Sequence, residues 1–131
     1  MYFTGYLVLI WNGKDEAVPW VEDIVVYMFN YKPKDTPQYR DNKWQSSFAD
    51  QELFGELRYT TFSNNSSHTR QDIIDRVFST SFISKQPEDV AAKITADLNA
   101  IMDKYAINMK PEDSVIFPYR TDLFITQVLN K

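Results

Sequence analysis

The chain has 131 residues, 44% apolar and 24% charged, with a formal net charge of −4 and no cysteine. That length allows one domain or part of one. The excess of acid argues against nucleic acid as a partner, which needs a basic face, and the lack of cysteine excludes disulfides and thiolate metal sites. No apolar run reaches membrane-spanning length and the N-terminus has no basic region, so a cytoplasmic chain with no membrane partner is expected. Aromatic residues make up 15%, which predicts a core rich in Tyr and Phe.

Residues 5–11 read as a buried strand. Tyr6, Leu7, Val8, Leu9, Ile10 and Trp11 form a continuous apolar run, bounded by Gly5 and by Asn12-Gly13. Such a run is expected of a parallel strand covered on both faces. A helix follows over 19–31. Pro19 suits its first position, Trp20, Ile24, Tyr27, Met28 and Tyr31 mark its apolar stripe, and Glu22 and Asp23 favour its dipole. Pro33 stops it. Residues 32–52 are polar and irregular.

A second strand is expected over 56–63, ended by a turn at Asn64, Asn65, Ser66 and Ser67. Thr69 and Asp72 have the spacing of a capping box, opening a helix that carries Ile73, Ile74, Val77, Phe78 and Phe82. The periodicity predicts another helix over 87–106, with Val90, Ile94, Leu98, Ile101 and Tyr105 on its apolar face. The last strand is read over 114–128, long and apolar enough to be central in the sheet. The order is α/β, and the first strand, helix and second strand fit a right-handed parallel unit.

Little in the chain carries chemistry. Gly5, Gly13 and Gly55 are its only glycines, and no two are close enough for a phosphate-cradling loop. His68, the only histidine, reads as a solvated turn residue. With no cysteine, a zinc site is not expected, and a serine triad would lack a Gly-x-Ser-x-Gly elbow. Asp15-Glu16 read as dipole partners near a helix start. Arg120 and Asp122 share one strand face and read as a structural or rim pair. Trp11, Trp20, Phe48, Phe78, Phe82 and Tyr119 read as core.

Several strings, in order, resemble one family. They are Trp11-Asn12-Gly13-Lys14-Asp15-Glu16-Ala17-Val18-Pro19-Trp20; Thr36-Pro37-Gln38-Tyr39-Arg40 with Trp44, Phe48 and Leu53-Phe54-Gly55; Arg76-Val77-Phe78-Ser79-Thr80-Ser81-Phe82-Ile83; and Pro118-Tyr119-Arg120-Thr121-Asp122. Together they are similar to the segment from the fifth strand to the C-terminus of class I S-adenosylmethionine-dependent methyltransferases, in the type-11 group near trans-aconitate methyltransferase. The resemblance implies the C-terminal part of a Rossmann-like fold, a partial methyltransferase domain over residues 1–131 that lacks the cofactor-binding half. Its sheet is expected to be three-stranded and mixed, with helices, and with the last strand between the other two and antiparallel to both. Tyr2-Phe3-Thr4-Gly5 replaces the family's Pro-Gly-Gly turn, and Lys85-Gln86 stand where relatives carry small or apolar residues.

In complete relatives a methyl group leaves the sulfonium by in-line displacement, driven by positioning and exclusion of water, with no metal. The resemblance implies a substrate-side role for Trp11, Asn12, Ser79, Ser81, Phe82, Tyr119 and Arg120, with Arg120 pairing an acceptor carboxylate. It implies no catalytic, cofactor-binding or metal residue here, no S-adenosylmethionine held by this chain alone, and inactivity on its own. The expected partner is a separate N-terminal half, or a second copy, joined through the open strand edge at Tyr6–Trp11. The competing reading is a non-catalytic interaction module that uses the same edge.

Overall fold

The computed structural model describes residues 5–36 and 41–129. Residues 37–40, which belong to one of the family-like strings, and residues 2–4, which replace the family's turn, lie outside the described residues. In chain order the elements are β1 (Gly5–Lys14), α1 (Pro19–Phe29), a 3-10 helix (Lys43–Phe48), β2 (Arg58–Ser63), β3 (Ser66–Thr69), α2 (Arg70–Phe78), α3 (Ser81–Ser84), α4 (Glu88–Lys104), β4 (Ser114–Phe117) and β5 (Tyr119–Val128). They cluster into two compact units. One is drawn from Met1–Gly13, Asp35–Asn64 and Arg120–Lys131, the other from Lys14–Lys34 and Asn65–Tyr119.

The first unit holds a three-stranded sheet of order β1-β5-β2. The last strand is central, as expected. β2 runs antiparallel to β5, with Thr61 opposite Asp122 and Tyr59 opposite Phe124. β1 and β2 are therefore not neighbours, and no direct parallel pair joins them. Past β2's start the chain continues along β5: the Gly55 amide donates to the Gln127 carbonyl at 2.9 Å and the Leu129 amide to the Leu53 carbonyl at 2.9 Å.

β1 departs from the expected doubly covered strand. It is longer, running through Asn12 and Gly13 to Lys14, and its faces differ. Leu7, Leu9 and Trp11 are half-buried, while Tyr6, Val8 and Ile10 are 59%, 44% and 59% exposed. A run that is apolar on both faces does not encode which face will be covered.

The second unit holds the main core: Val21 and Ile24 from α1, Ile73 and Val77 from α2, Ile83 from α3, Ile94, Leu98 and Met102 from α4, and Phe117 from β4. Pro19 starts α1 as expected, but the helix ends at Phe29, before Tyr31. Asp23 on α1 accepts from the Tyr105 hydroxyl at 2.7 Å and from Lys104 Nζ at 3.3 Å, tying α1 to the end of α4.

The segment around His68 is not a turn. It is β3, which pairs antiparallel with β4, placing His68 opposite Val115. His68 is half-buried, with Nε2 2.6 Å from Ser66 Oγ, and its ring lies edge-on to Phe117 at 6.3 Å. The helix opened by Thr69 also stops earlier than the apolar spacing suggests. Ser79 caps α2, and Thr80 is extended and begins the separate short helix α3. Finally, the run over 114–128 is two strands in two sheets. Pro118 divides them, because a residue without an N–H cannot continue a ladder.

Two helix ends are diagnostic. At α2 the capping box is complete: the Asp72 amide donates to Thr69 Oγ1 at 3.1 Å, and the Thr69 amide to Asp72 Oδ2 at 2.9 Å. At α4 the Ile107 amide donates to the Met102 carbonyl at 2.9 Å and the Ala106 amide to that of Asp103 at 3.1 Å. This is a Schellman closure with Ala106 at φ 53°, where glycine is the favoured residue.

Thr69→Ala is expected to lower stability by about 1 kcal/mol, read by chemical denaturation. Hydrogen bonds from Thr69 hold the Asp72 carboxyl below the usual carboxylate value. Its contribution is therefore fully present above the unfolded-state value and lost as pH falls through the depressed one. The destabilisation caused by Asp72→Ala should shrink over that acid window. Ala106→Gly should act in the opposite direction, raising stability by about 0.5–1 kcal/mol through relief of the left-handed strain, seen as a higher melting temperature.

Candidate functional site

In the first unit one face of β5 carries Arg120, Asp122 and Phe124. Arg120 Nη2 donates to Tyr59 Oη at 3.4 Å and Thr61 Oγ1 at 3.3 Å. Both hydroxyls in turn donate to Asp122 Oδ1, at 2.9 and 2.7 Å. Arg120 and Asp122 are thus bridged through two β2 hydroxyls, which matches the structural pair expected from their spacing. Beside them Phe124 meets Tyr59 at 4.8 Å, Trp44 at 4.8 Å and Trp11 at 6.0 Å between ring centroids. Trp11 and Trp44 are themselves 4.7 Å apart, and Trp44 continues through Phe48 to Phe54.

Asn12 follows Trp11 in β1 and so points to the opposite face. There its Oδ1 accepts from Thr121 Oγ1 at 2.6 Å and from Asn64 Nδ2 at 3.4 Å. A ligand on one face of this sheet meets either the Trp11–Arg120 side or the Asn12–Thr121 side.

In the second unit Ser79 and Ser81 are exposed. Ser79 Oγ donates to the Arg76 carbonyl at 2.6 Å, closing the end of α2, and the Ser81 carbonyl accepts from Ser84 Oγ at 3.2 Å. Phe82 is buried in the core. Tyr119 is half-buried, with its ring stacked on Phe117 at 4.8 Å and 30°. The Arg76 guanidinium lies over that ring, 5.3 Å from its centroid, and Nη1 donates to Tyr119 Oη at 3.5 Å. Burial pushes the Tyr119 hydroxyl above the usual tyrosine value, against the opposing influence of Arg76.

Lys14 ends β1 next to this stack: it precedes Asp15, whose amide donates at 2.9 Å to the carbonyl of Pro118, the residue before Tyr119. Its ammonium is held below the usual lysine value, first by burial and then by the charge of Arg76, with Glu16 acting weakly in the opposite sense. Neither cation was singled out from the sequence. They sit 62 residues apart, and no local spacing announces that they meet.

A cavity of about 250 Å³ lies elsewhere in the second unit, lined by Arg70, Thr95, Asn99, Asn108 and Lys110 among others. None of the seven expected substrate-side residues lines it. Its main cation is already engaged: Arg70 Nη1 donates to Asp103 at 2.7 Å and Asn99 at 3.3 Å, and Nη2 to the Ile107 carbonyl. Among the described residues no group of His, Asp or Glu could hold a metal ion, and no helix is long and apolar enough to cross a membrane.

No protein-family model matches the chain. Over 124 residues the chain is 32% identical to an uncharacterized methyltransferase-like protein of Schizosaccharomyces pombe (strain 972), a match that covers 95% of this chain and 47% of that protein. The chain is thus similar along nearly its whole length to a methyltransferase-like protein, and it spans about half the length of that curated relative. The α/β order and the sheet with β5 at its centre fit the C-terminal part of a Rossmann-like methyltransferase fold.

Trp44→Ala should destabilise the first unit by about 2–4 kcal/mol, because it removes a ring shared by Trp11, Phe48 and Phe124. Near-ultraviolet circular dichroism followed through a denaturant titration measures the loss.

Proposed function

We propose that this chain is the substrate-side part of an S-adenosylmethionine-dependent methyltransferase that acts on a small molecule. A cofactor-binding α/β half, joined to it or separate, would cover the open edge of β1. The observation that carries the reading is β1 itself. It borders β5 in the sheet and shows Tyr6, Val8 and Ile10 to solvent. An apolar strand of this kind is a template for another strand. Similarity to a methyltransferase-like protein about twice as long supports the same view.

The residues in hand do not fit the cofactor. Gly5, Gly13 and Gly55 are dispersed, and among the described residues no glycine takes the left-handed conformation that a tight cradle uses. The contribution of this part is therefore acceptor binding. In the first unit Arg120 and Trp11 on one face, or Asn12 on the other, would supply these contacts; in the second unit Tyr119, Ser79 and Ser81 would, with Phe82 supporting the α3 backbone from the core. On this reading the chain alone is inactive. The same edge supports a second reading, a homodimer that acts as an interaction module.

Two measurements test the proposal. Calorimetric titration of the isolated chain with S-adenosylmethionine should show no saturable heat; a micromolar dissociation constant, about −8 kcal/mol, would overturn the reading. Co-expression with the unmatched part of the Schizosaccharomyces pombe relative should yield a 1:1 complex that binds the cofactor and that Val8→Lys with Ile10→Lys disrupts. A self-dimer disrupted by the same pair, with no complex formed, would favour the interaction module.

A further inference from the structure

The stack of Phe117, Tyr119 and Arg76, with Lys14 beside it, is more than packing. The Arg76 guanidinium lies 5.3 Å from the Tyr119 ring centroid and donates to its hydroxyl at 3.5 Å, so it is held beside the ring before anything binds. Among the described residues neither Arg76 nor Lys14 has a carboxylate within ion-pair distance. Asp72, one turn before Arg76, is engaged in the capping box, and Glu16 affects Lys14 less than Arg76 does. Two cations brought together on a chain of net charge −4 are costly for the unliganded protein. A bound oxyanion would reverse the sign of that interaction.

We propose that Lys14, Arg76 and the Tyr119 hydroxyl form a binding site for an oxyanion, the carboxylate or phosphate group of a small molecule. The guanidinium fork takes two of its oxygens, the ammonium supplies a second charge, and the phenol donates a further hydrogen bond. Ser79, whose hydroxyl closes the α2 turn on the Arg76 carbonyl, keeps the base of Arg76 in place. The site deepens the acceptor-binding reading, because it assigns recognition of an acidic acceptor to Lys14 and Arg76. Arg120 is already bridged to Asp122 through Tyr59 and Thr61. Oxyanion binding nevertheless stands or falls without any methyl-transfer assay.

The test is a titration of the full chain with inorganic phosphate and, separately, with succinate, at constant ionic strength held by chloride. The probes are the NMR signals of Lys14 Cε and Arg76 Nε–H. Saturable shifts are expected, with the Lys14 pKa rising as the anion neutralises its surroundings. Tighter succinate binding identifies a carboxylate-bearing ligand, and tighter phosphate binding a phosphate ester. Arg76→Gln should raise the Lys14 pKa in the free protein, since a repelling charge is removed, and weaken anion binding about tenfold or more. Arg76→Lys should fall between the two, keeping the charge and losing the fork. Arg58→Gln, which removes an exposed cation that has no part in the site, should leave binding unchanged. The proposal is overturned if the wild-type chain shows no saturable shift, if Arg76→Gln binds as well as wild type, or if the same loss appears in Arg58→Gln. Thermal unfolding of each variant confirms that it is folded. Because Arg76 is exposed on its helix, its replacement leaves the core intact.

Discussion

Pro118 has no amide hydrogen, and the division of the last apolar stretch into two strands in two sheets follows from that one missing donor. Without it the apolar stretch from Ser114 to Val128 would be a single long strand. With it, β4 pairs with β3 while β5 takes the centre of the other sheet. The Pro118 carbonyl remains available and accepts from the Asp15 amide at 2.9 Å, which fixes the chain just after β1. Phe117 and Tyr119, on either side of the proline, stack on each other. The first anchors the core of the second unit, and the second presents a ring to Arg76.

Charge and aromatic surface are distributed differently in the two units. In the first, the cation Arg120 is bridged by hydroxyls to an acid on its own strand, beside a chain of rings from Tyr59 to Phe54. In the second, several acids are engaged at helix ends and cross-links: Asp72 on its cap, Asp23 on Tyr105 and Lys104, and Asp97 on Lys93 at 2.6 Å and on Tyr27. Arg76 instead lies over an aromatic ring, that of Tyr119. The contrast explains why an arginine chosen by resemblance and an arginine chosen by geometry are different residues.

Much of the fold was legible because the relevant signals are local. Helix α4 was read to within two residues at its C-terminal end because an apolar stripe repeats along it, and the Thr69–Asp72 box was read because its partners are three residues apart. The central place of the last strand came from a resemblance and from length. The errors share another cause. Nothing near His68 shows that it pairs with Val115, nothing in an all-apolar strand shows which face will stay wet, and the stop at Ser79 depends on a side chain turning back to its own helix. The expected substrate-side residues were distributed between two units and, within β1, between two faces. Lys14 and Arg76 were missed because their meeting is a property of the fold, and neither sits in a pattern that sequence alone would mark.

The chain holds three tryptophans, and their placement gives it a built-in optical readout. Trp11 and Trp44 lie 4.7 Å apart with planes inclined at 40°, close enough for their excited states to mix, so the pair absorbs and rotates polarised light as one chromophore. Trp20 sits apart from them in the core of the second unit, edge-on to Phe117. The first unit therefore carries a coupled signal and the second a solitary one. Each can be followed separately in the same cuvette, with no dye attached.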